Sequence, residues 1–494
     1  MEVLPRCWAT IAWAYGALQI QDPQITHVMH LIGQLALPQL ACFNALELTN
    51  LLWGFAKMQV PFSRLFQASC QHITAYLGSF SPSNLSTLVW AFVTAQNIHS
   101  SMLLQVATEF ASRLRTSEVN PVELANLTWG LATAKLHPKG QVLYEVGCRA
   151  CALLPDFKLQ ELSITAWAFS RLGVVHDELF TAIASRIGSS RALRQQIHSQ
   201  GIANLLWAFE RQKAMGSSAV PQLMLAVCTL LPTCLQLLVV LKPQEFNCVF
   251  RALTKLGLTW GMCSEADQLF AAAAKLGGSL PRRLSLTQRV DLLEAFICFL
   301  AVSAPIPEVC TSFVMALAHA CLEKVHTVDP MGSRRMVETL ASAAVLLPSG
   351  RARFGPVTAR MALQLQMEQF STGGFRHMAA MCGVPLDCDV PTLRSAMLEL
   401  AHWSSERVID PGGCFTHPNQ QADFNDETGS VYSNDSEGFA ANVPGGPGGD
   451  FSYGVGPDED IPQRSPPTSW TMPGQSGQWH QAETRMQGAV LAAP

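Results

Sequence analysis

The chain has 494 residues, 49% of them hydrophobic and 14% charged, with a formal net charge of -4. That is enough apolar material for a large core or a long stacked one. No charge-free run reaches membrane-span length with the right flanks, and no secretory signal precedes the fifteen cysteines. Insertion into a membrane and a disulfide scaffold are therefore set aside.

The charge is unevenly divided. Residues 404–494 carry twelve acidic and three basic side chains, a net of -9, which leaves +5 on the rest. A mildly basic body with an acidic tail permits phosphate contacts without demanding them.

In chain order, six segments each carry one aligned tryptophan: Trp13, Trp53, Trp90, Trp129, Trp167 and Trp207, at intervals of 40, 37, 39, 38 and 40 residues. A seventh copy, KPQEFNCVFRALTKLGL, places Phe250 in that slot, and weaker copies follow at TQRVDLLEAFICFL and SRRMVETLASAAVLL. With the tryptophan as position 0, positions -5, -2 and +2 are apolar, as in Leu48, Leu51 and Phe55 or Leu124, Leu127 and Leu131. Such spacing places them on one helical face. Position +1 is small in all six tryptophan copies (Ala14, Gly54, Ala91, Gly130, Ala168, Ala208), which predicts close helix–helix approach.

Pro5, Pro82, Pro121 and Pro243 stand where first helices begin, a place where a missing amide donor costs nothing. A second apolar-periodic segment follows each first helix, as in SSMLLQVATEFASRL and HDELFTAIASRI. One such hairpin cannot bury its own apolar faces, so the pattern predicts an all-α fold, an alpha solenoid of stacked helical hairpins with a repeat of about 38–40 residues. The expected parts are well-defined hairpin repeats over 1–260, degenerate helical repeats over 261–403, and an acidic, Gly/Pro/Ser-rich disordered tail over 404–494. The apolar segment 227–241 contains Pro232 and is expected to be a buried helix. Cysteines inside apolar segments, such as Cys42, Cys228, Cys298 and Cys310, are expected to be buried free thiols in a reducing compartment.

The segments LANLTWGLATAKL, IANLLWAFERQ and TNLLWGFAKM resemble the octotricopeptide repeat and the repeat regions of FASTK/RAP-type organellar RNA proteins of algae and other protists. The resemblance covers residues 1–260 well and 260–400 poorly. It implies paired helices in a solenoid, single-stranded RNA as partner, and roles in organellar transcript processing, stability, translation or ribosomal RNA organisation. It also implies a mitochondrial or chloroplast location, with the cytoplasm as the alternative. No RAP domain is recognisable. Repeat-like sequence begins by Pro5 with no Arg- and Ser-rich leader ahead of it, so nothing reads as a transit peptide.

Two rows of polar residues are candidates for RNA contact. Position -3 carries Asn50, Asn126, Asn204 and Asn247, and position +4 carries Lys57, Thr94, Thr133, Arg171, Arg211 and Thr254. Amide, hydroxyl and basic groups recurring once per hairpin suit contacts to bases and phosphates. The rival reading makes the asparagines structural and the +4 residues ordinary solvated positions. Tryptophan beside a small residue is expected to be core more than a stacking platform. Arg282 and Arg283 form a basic cluster, as do Arg191 with Arg194, Arg334 with Arg335, and Arg351 with Arg353.

Cys148 and Cys151 form a lone C-x-x-C without a second pair at zinc spacing. Cys382, Cys388, Cys414 and His417 are no better matched. No phosphate loop, nucleophile elbow, HExxH or paired-carboxylate motif occurs. The expectation is a binding protein and no enzyme, with no cofactor, metal or small-molecule substrate. A non-catalytic protein-binding scaffold in a ribonucleoprotein such as an organellar ribosome is the alternative, since a solenoid surface does not dictate its ligand.

Overall fold

A computed structural model describes residues 4–20, 22–139, 141–277, 280–301, 306–323, 330–347, 350–365 and 370–402. The segment 404–494, expected to be disordered, lies outside the described residues, as do Cys414 and His417.

The described residues are all-α. The first part holds α1 (Pro5–Leu18), α2 (Pro23–Ala36), α3 (Ala45–Lys57), α4 (Ser63–Ala75), α5 (Pro82–Thr94), α6 (Ser100–Ser112), α7 (Pro121–Thr133) and α8 (Val142–Ala152). Then come α9 (Leu159–Arg171), α10 (Asp177–Ser189), the short α11 (Arg191–Gln195), α12 (Ser199–Ala214), α13 (Val220–Leu237), α14 (Pro243–Lys255) and α15 (Ser264–Leu276). The last are α16 (Leu280–Arg283), α17 (Leu286–Leu300), α18 (Glu308–Leu322), α19 (Pro330–Leu346), α20 (Gly350–Leu363), α21 (Thr372–Cys382) and α22 (Val390–Ala401).

The helices form two rows. In the first, α1, α3, α5, α7, α9, α12, α14, α17, α19 and α21 each pack on the next. The second row runs through α4, α6, α8, α10, α13, α15 and α18, and α20 packs on α22. This is a solenoid of helical hairpins.

Local sequence starts and stops the first-row helices α1, α3, α5, α7 and α9 at the same register. Asn44 with Glu47, Ser81 with Asn84, and Asn120 with Glu123 make capping boxes at α3, α5 and α7. Pro5, Pro82, Pro121 and Pro243 occupy first-turn positions. Six residues after the slot the chain turns left-handed, at Gln19, Gln59, Gln96, Lys135 and Gly173. The next amide then bonds back five residues, Val60 to Phe55, Asn97 to Phe92, Leu136 to Leu131 and Val174 to Phe169. This is the Schellman ending of a helix.

Those caps correct the seventh repeat. Its N-cap is Lys242, its left-handed residue is Gly257, and Leu258 bonds back to Leu253. Both ends therefore place Arg251, and not Phe250, in the slot. Phe250 packs between the rows, 4.8 Å from Phe270 of α15. The shift makes Asn247 position -4, Thr254 position +3 and Lys255 position +4. The preceding hairpin is longer as well: α12 runs one turn further, to a left-handed Gly216 nine residues after Trp207, and α13 has 18 residues.

Between the rows lies the core. Phe55, Phe92, Phe169 and Phe209, all at +2, are fully buried, and Phe66 of α4 meets Phe92 edge-on at 5.1 Å. Each such ring contributes roughly 1.5–3 kcal/mol by burial. Farther along, Phe270 stacks on Phe299 at 3.6 Å and Phe296 meets Phe313 at 4.8 Å.

The apolar 227–241 stretch falls mostly in α13, which buries Leu223, Val227, Leu230 and Leu231 but leaves Leu225 exposed. Among the described residues α13 is long and apolar enough to cross a membrane by length and composition; it packs on α10, α12 and α15. Of the cysteines expected to be buried, Cys310 is buried, while Cys42, Cys228 and Cys298 are exposed. Their helical period turns Cys228 and Cys298 outward, and Cys42 sits in a 3-10 turn.

Candidate nucleic-acid interface

At 3.6 residues per turn, position 0 lies about half a turn from the core positions -5, -2 and +2. The slot therefore sits on the face of the first row turned away from the second. Position +1 faces the preceding helix. A Cβ on Gly54 would stand 2.3 Å from the Ala12 carbonyl oxygen, and one on Gly130 would stand 2.4 Å from Val89 Cγ1. The small residues predicted there are what allow the helices to approach.

That approach brings tryptophans of neighbouring first-row helices into ring contact at two places. Trp53 and Trp90 have centroids 6.4 Å apart, Trp167 and Trp207 6.5 Å. Trp53, Trp90, Trp129 and Trp167 are 2–5% exposed, so these rings are structural; Trp13 and Trp207 are half-buried.

Position -3 leans toward the preceding helix. In α14 it is Cys248, whose thiol donates to the Ala203 carbonyl of α12 at 3.6 Å. Asn126 and Asn204 are buried there and Asn50 is half-buried, and the Oδ1 of each is enclosed without a hydrogen-bond partner. Asn247 is buried one position earlier. These amides lie between helices, which takes Asn126, Asn204 and Asn247 out of reach of a base.

Position +4 forms the accessible row. Lys57, Thr94, Thr133 and Arg171 are half-buried, and Arg211 and Lys255 are exposed. Burial holds the Lys57 ammonium below its ordinary pKa. Arg171 lies over its own Trp167, 5.9 Å from the ring centroid. The Thr94 and Thr133 hydroxyls are enclosed and unpartnered. Thr254 instead donates to its own helix, to Phe250 and Arg251 carbonyls.

From α12 onward acids join the row. Lys255 Nζ is 3.9 Å from Glu210, Arg251 Nε is 4.0 Å from Asp291, and Arg335 Nη2 is 2.5 Å from Asp291 and closer still to Glu294. Burial works against the Arg335 charge, but Asp291 and Glu294 more than offset it and hold its pKa above the ordinary value. The sequence reading missed this network because its partners are about 40 residues apart. One signal was present: TKLGL repeats SRLGV, which aligns Lys255 with Arg171.

The other arginine clusters divide. Arg194 donates to the Ile187 and Gly188 carbonyls, and Arg351 to the Cys382 carbonyl, so both tie helix ends. Arg191 and Arg353 are exposed. Arg282 and Arg283 are exposed on α16, which packs on α18 of the second row and so lies off the slot face.

Cys148 and Cys151 lie in α8, with Cys148 Sγ 3.8 Å from His176 Nε2. The Leu179 amide donates to His176 Nδ1, which leaves Nε2 to donate to the Tyr144 carbonyl. The imidazole has no lone pair left for the thiol. Burial, then Cys148 and Glu178, pushes the Cys151 thiol up to about 11. Among the described residues no group of three His, Cys, Asp or Glu side chains is placed to hold a metal ion.

Fold and face together define an all-α helical-repeat protein with a narrow polar row. Over residues 34–215, which contain the slots from Trp53 to Trp207, the chain matches the family model of the RNA-editing substrate-binding complex 6 protein. No curated protein matches it.

Proposed function

We propose that the chain binds single-stranded RNA along the slot face of α3 to α12, as a non-catalytic member of an organellar ribonucleoprotein. The observation that carries this reading is the +4 row, where the basic side chains of Lys57, Arg171 and Arg211 recur along one face, while the hydroxyls of Thr94 and Thr133 in the same row are enclosed. The likeness to an RNA-editing substrate-binding complex protein favours a role in RNA editing or processing. An octotricopeptide-type repeat and a mitochondrial or chloroplast location belong to the same proposal.

The test is binding of the full chain to a random single-stranded RNA pool across salt concentrations. Three phosphate contacts give a log–log salt slope of about -2. Binding that salt leaves unchanged would sink the reading. A protein scaffold within such an assembly is the second reading, favoured by Leu225, Val239 and Met262, which are 70%, 73% and 61% exposed.

A further inference from the structure

Counting from the N-caps carries the slot beyond α12. In α3, α5, α7, α9 and α12 the tryptophan stands nine residues after the N-cap, and Lys242 puts Arg251 at that place in α14. Ser285 caps α17, so its slot holds Glu294, its position -3 Asp291 and its position +4 Cys298. Arg335 reaches both acids from α19, the next helix of the row. Along one line of the stack, tryptophan gives way to alternating charge.

The acids are placed where a phosphate would otherwise go. Helices α3, α5, α7 and α9 carry no acid beyond their first turn. Glu210 of α12 is the first to stand beside the +4 row, and its carboxylate lies 3.9 Å from Lys255 Nζ. Asp291 lies 4.0 Å from Arg251 Nε and 2.5 Å from Arg335 Nη2, and Glu294 pairs with Arg335 as well. The Glu294 side chain is 41% exposed, so its charge faces an approaching strand. A phosphate over α14, α17 or α19 would have to displace an ion pair already made and sit against a like charge. Over α3 to α9 it meets neither obstacle.

We infer that Glu210, Asp291 and Glu294 end the RNA track, so that the chain takes a short single-stranded segment over α3 to α12 and shuts phosphates out of α14, α17 and α19. The inference rests on the reading of the slot face as an RNA surface and adds the residues that set the length bound. Packed helices stand about 8–10 Å apart, so the three excluded helices would add about 24–30 Å of track.

The test is binding of the full chain to single-stranded RNAs of graded length, reading the shortest that reaches full affinity. Glu210→Gln/Asp291→Asn/Glu294→Gln keeps the side-chain shapes and removes three negative charges. It is expected to lengthen that minimum by at least about three nucleotides and to steepen the log–log salt slope by about 1–2, as the freed cations take phosphates. Asp291 is buried. Should the triple variant misfold, Glu210→Gln/Glu294→Gln serves, with a shift in the same direction of about half the size. Glu178→Gln/Glu265→Gln, on α10 and α15 of the second row, makes that same change of charge off the slot face and is expected to leave the minimum where it is. A minimum that does not move in the slot-face variants overturns the inference and leaves RNA binding standing; so does an equal lengthening in the second-row variant. A parent that binds no RNA of any length removes the reading and the inference together.

Discussion

In α3 to α12 the slot holds a tryptophan; in α14 it holds Arg251, and Asp291, Glu294 and Arg335 complete a charged network on the same face. Both regions keep the same helix pairing. An indole closes the face by area and contact, whatever stands beside it. An ion pair closes it only while every partner is present, because an unmatched charge there is left partly desolvated. The tryptophan region keeps its +4 cations Lys57 and Arg171 half-buried and Arg211 exposed. The ionic region consumes its own.

Truncation separates the two modes. Trp129→Ala removes a ring that is 4% exposed and is expected to cost about 3–5 kcal/mol in denaturant unfolding. A cost under about 1 kcal/mol would show that the ladder is ornamental. Asp291→Ala removes a carboxylate facing Arg251 and Arg335; since Arg335 keeps Glu294 and is over a third exposed, the expected cost is smaller, about 1–2 kcal/mol. Replacing Arg251, Asp291 and Arg335 together by Leu, Leu and Met is expected to be near neutral. If the triple variant is as unstable as the single one, the network is not an exchangeable closure.

Backbone changes sharpen the comparison further. Gly54→Ala drives a methyl into the Ala12 carbonyl and is expected to cost about 1–3 kcal/mol, with α1 displaced from α3. Smallest is Gln96→Gly, which relieves a left-handed residue at φ 56° and is expected to stabilise by about 0.5–1 kcal/mol in thermal unfolding. A destabilised Gln96→Gly would mean that the side chain contributes more than the strained backbone costs.

The two regions also differ in how much was legible in the sequence. The tryptophan ladder and the small +1 residue carried the hairpin solenoid directly, because each is a local requirement repeated from α1 to α12, and first-turn prolines marked α1, α5, α7 and α14. Register in α14 was not legible from asparagine and aromatic matches alone. Asn247 and Phe250 mimic the motif one residue early, while Lys242 and Gly257, which end the helix, set the true frame. The extra turn of α12 hides in ERQKAMG, a polar run with no repeat marker. Of the two candidate rows, +4 is the accessible one. The -3 row was misjudged because -3 and +4 lie only about 20° apart around the helix, so periodicity does not separate them, and only packing shows that the preceding helix covers -3 and leaves +4, near the helix end, more open.

The most direct measurement is fluorescence anisotropy of single-stranded RNA with the full chain and two charge-reversed variants. The first is Lys57→Glu/Arg171→Glu/Arg211→Glu on the slot face; the second is Arg282→Glu/Arg283→Glu on α16. If RNA follows the +4 row, the triple variant loses at least about tenfold in affinity and most of the salt slope, and the α16 variant stays within about threefold of the parent. Equal losses in both, or a triple variant that binds like the parent, would contradict RNA binding on this face.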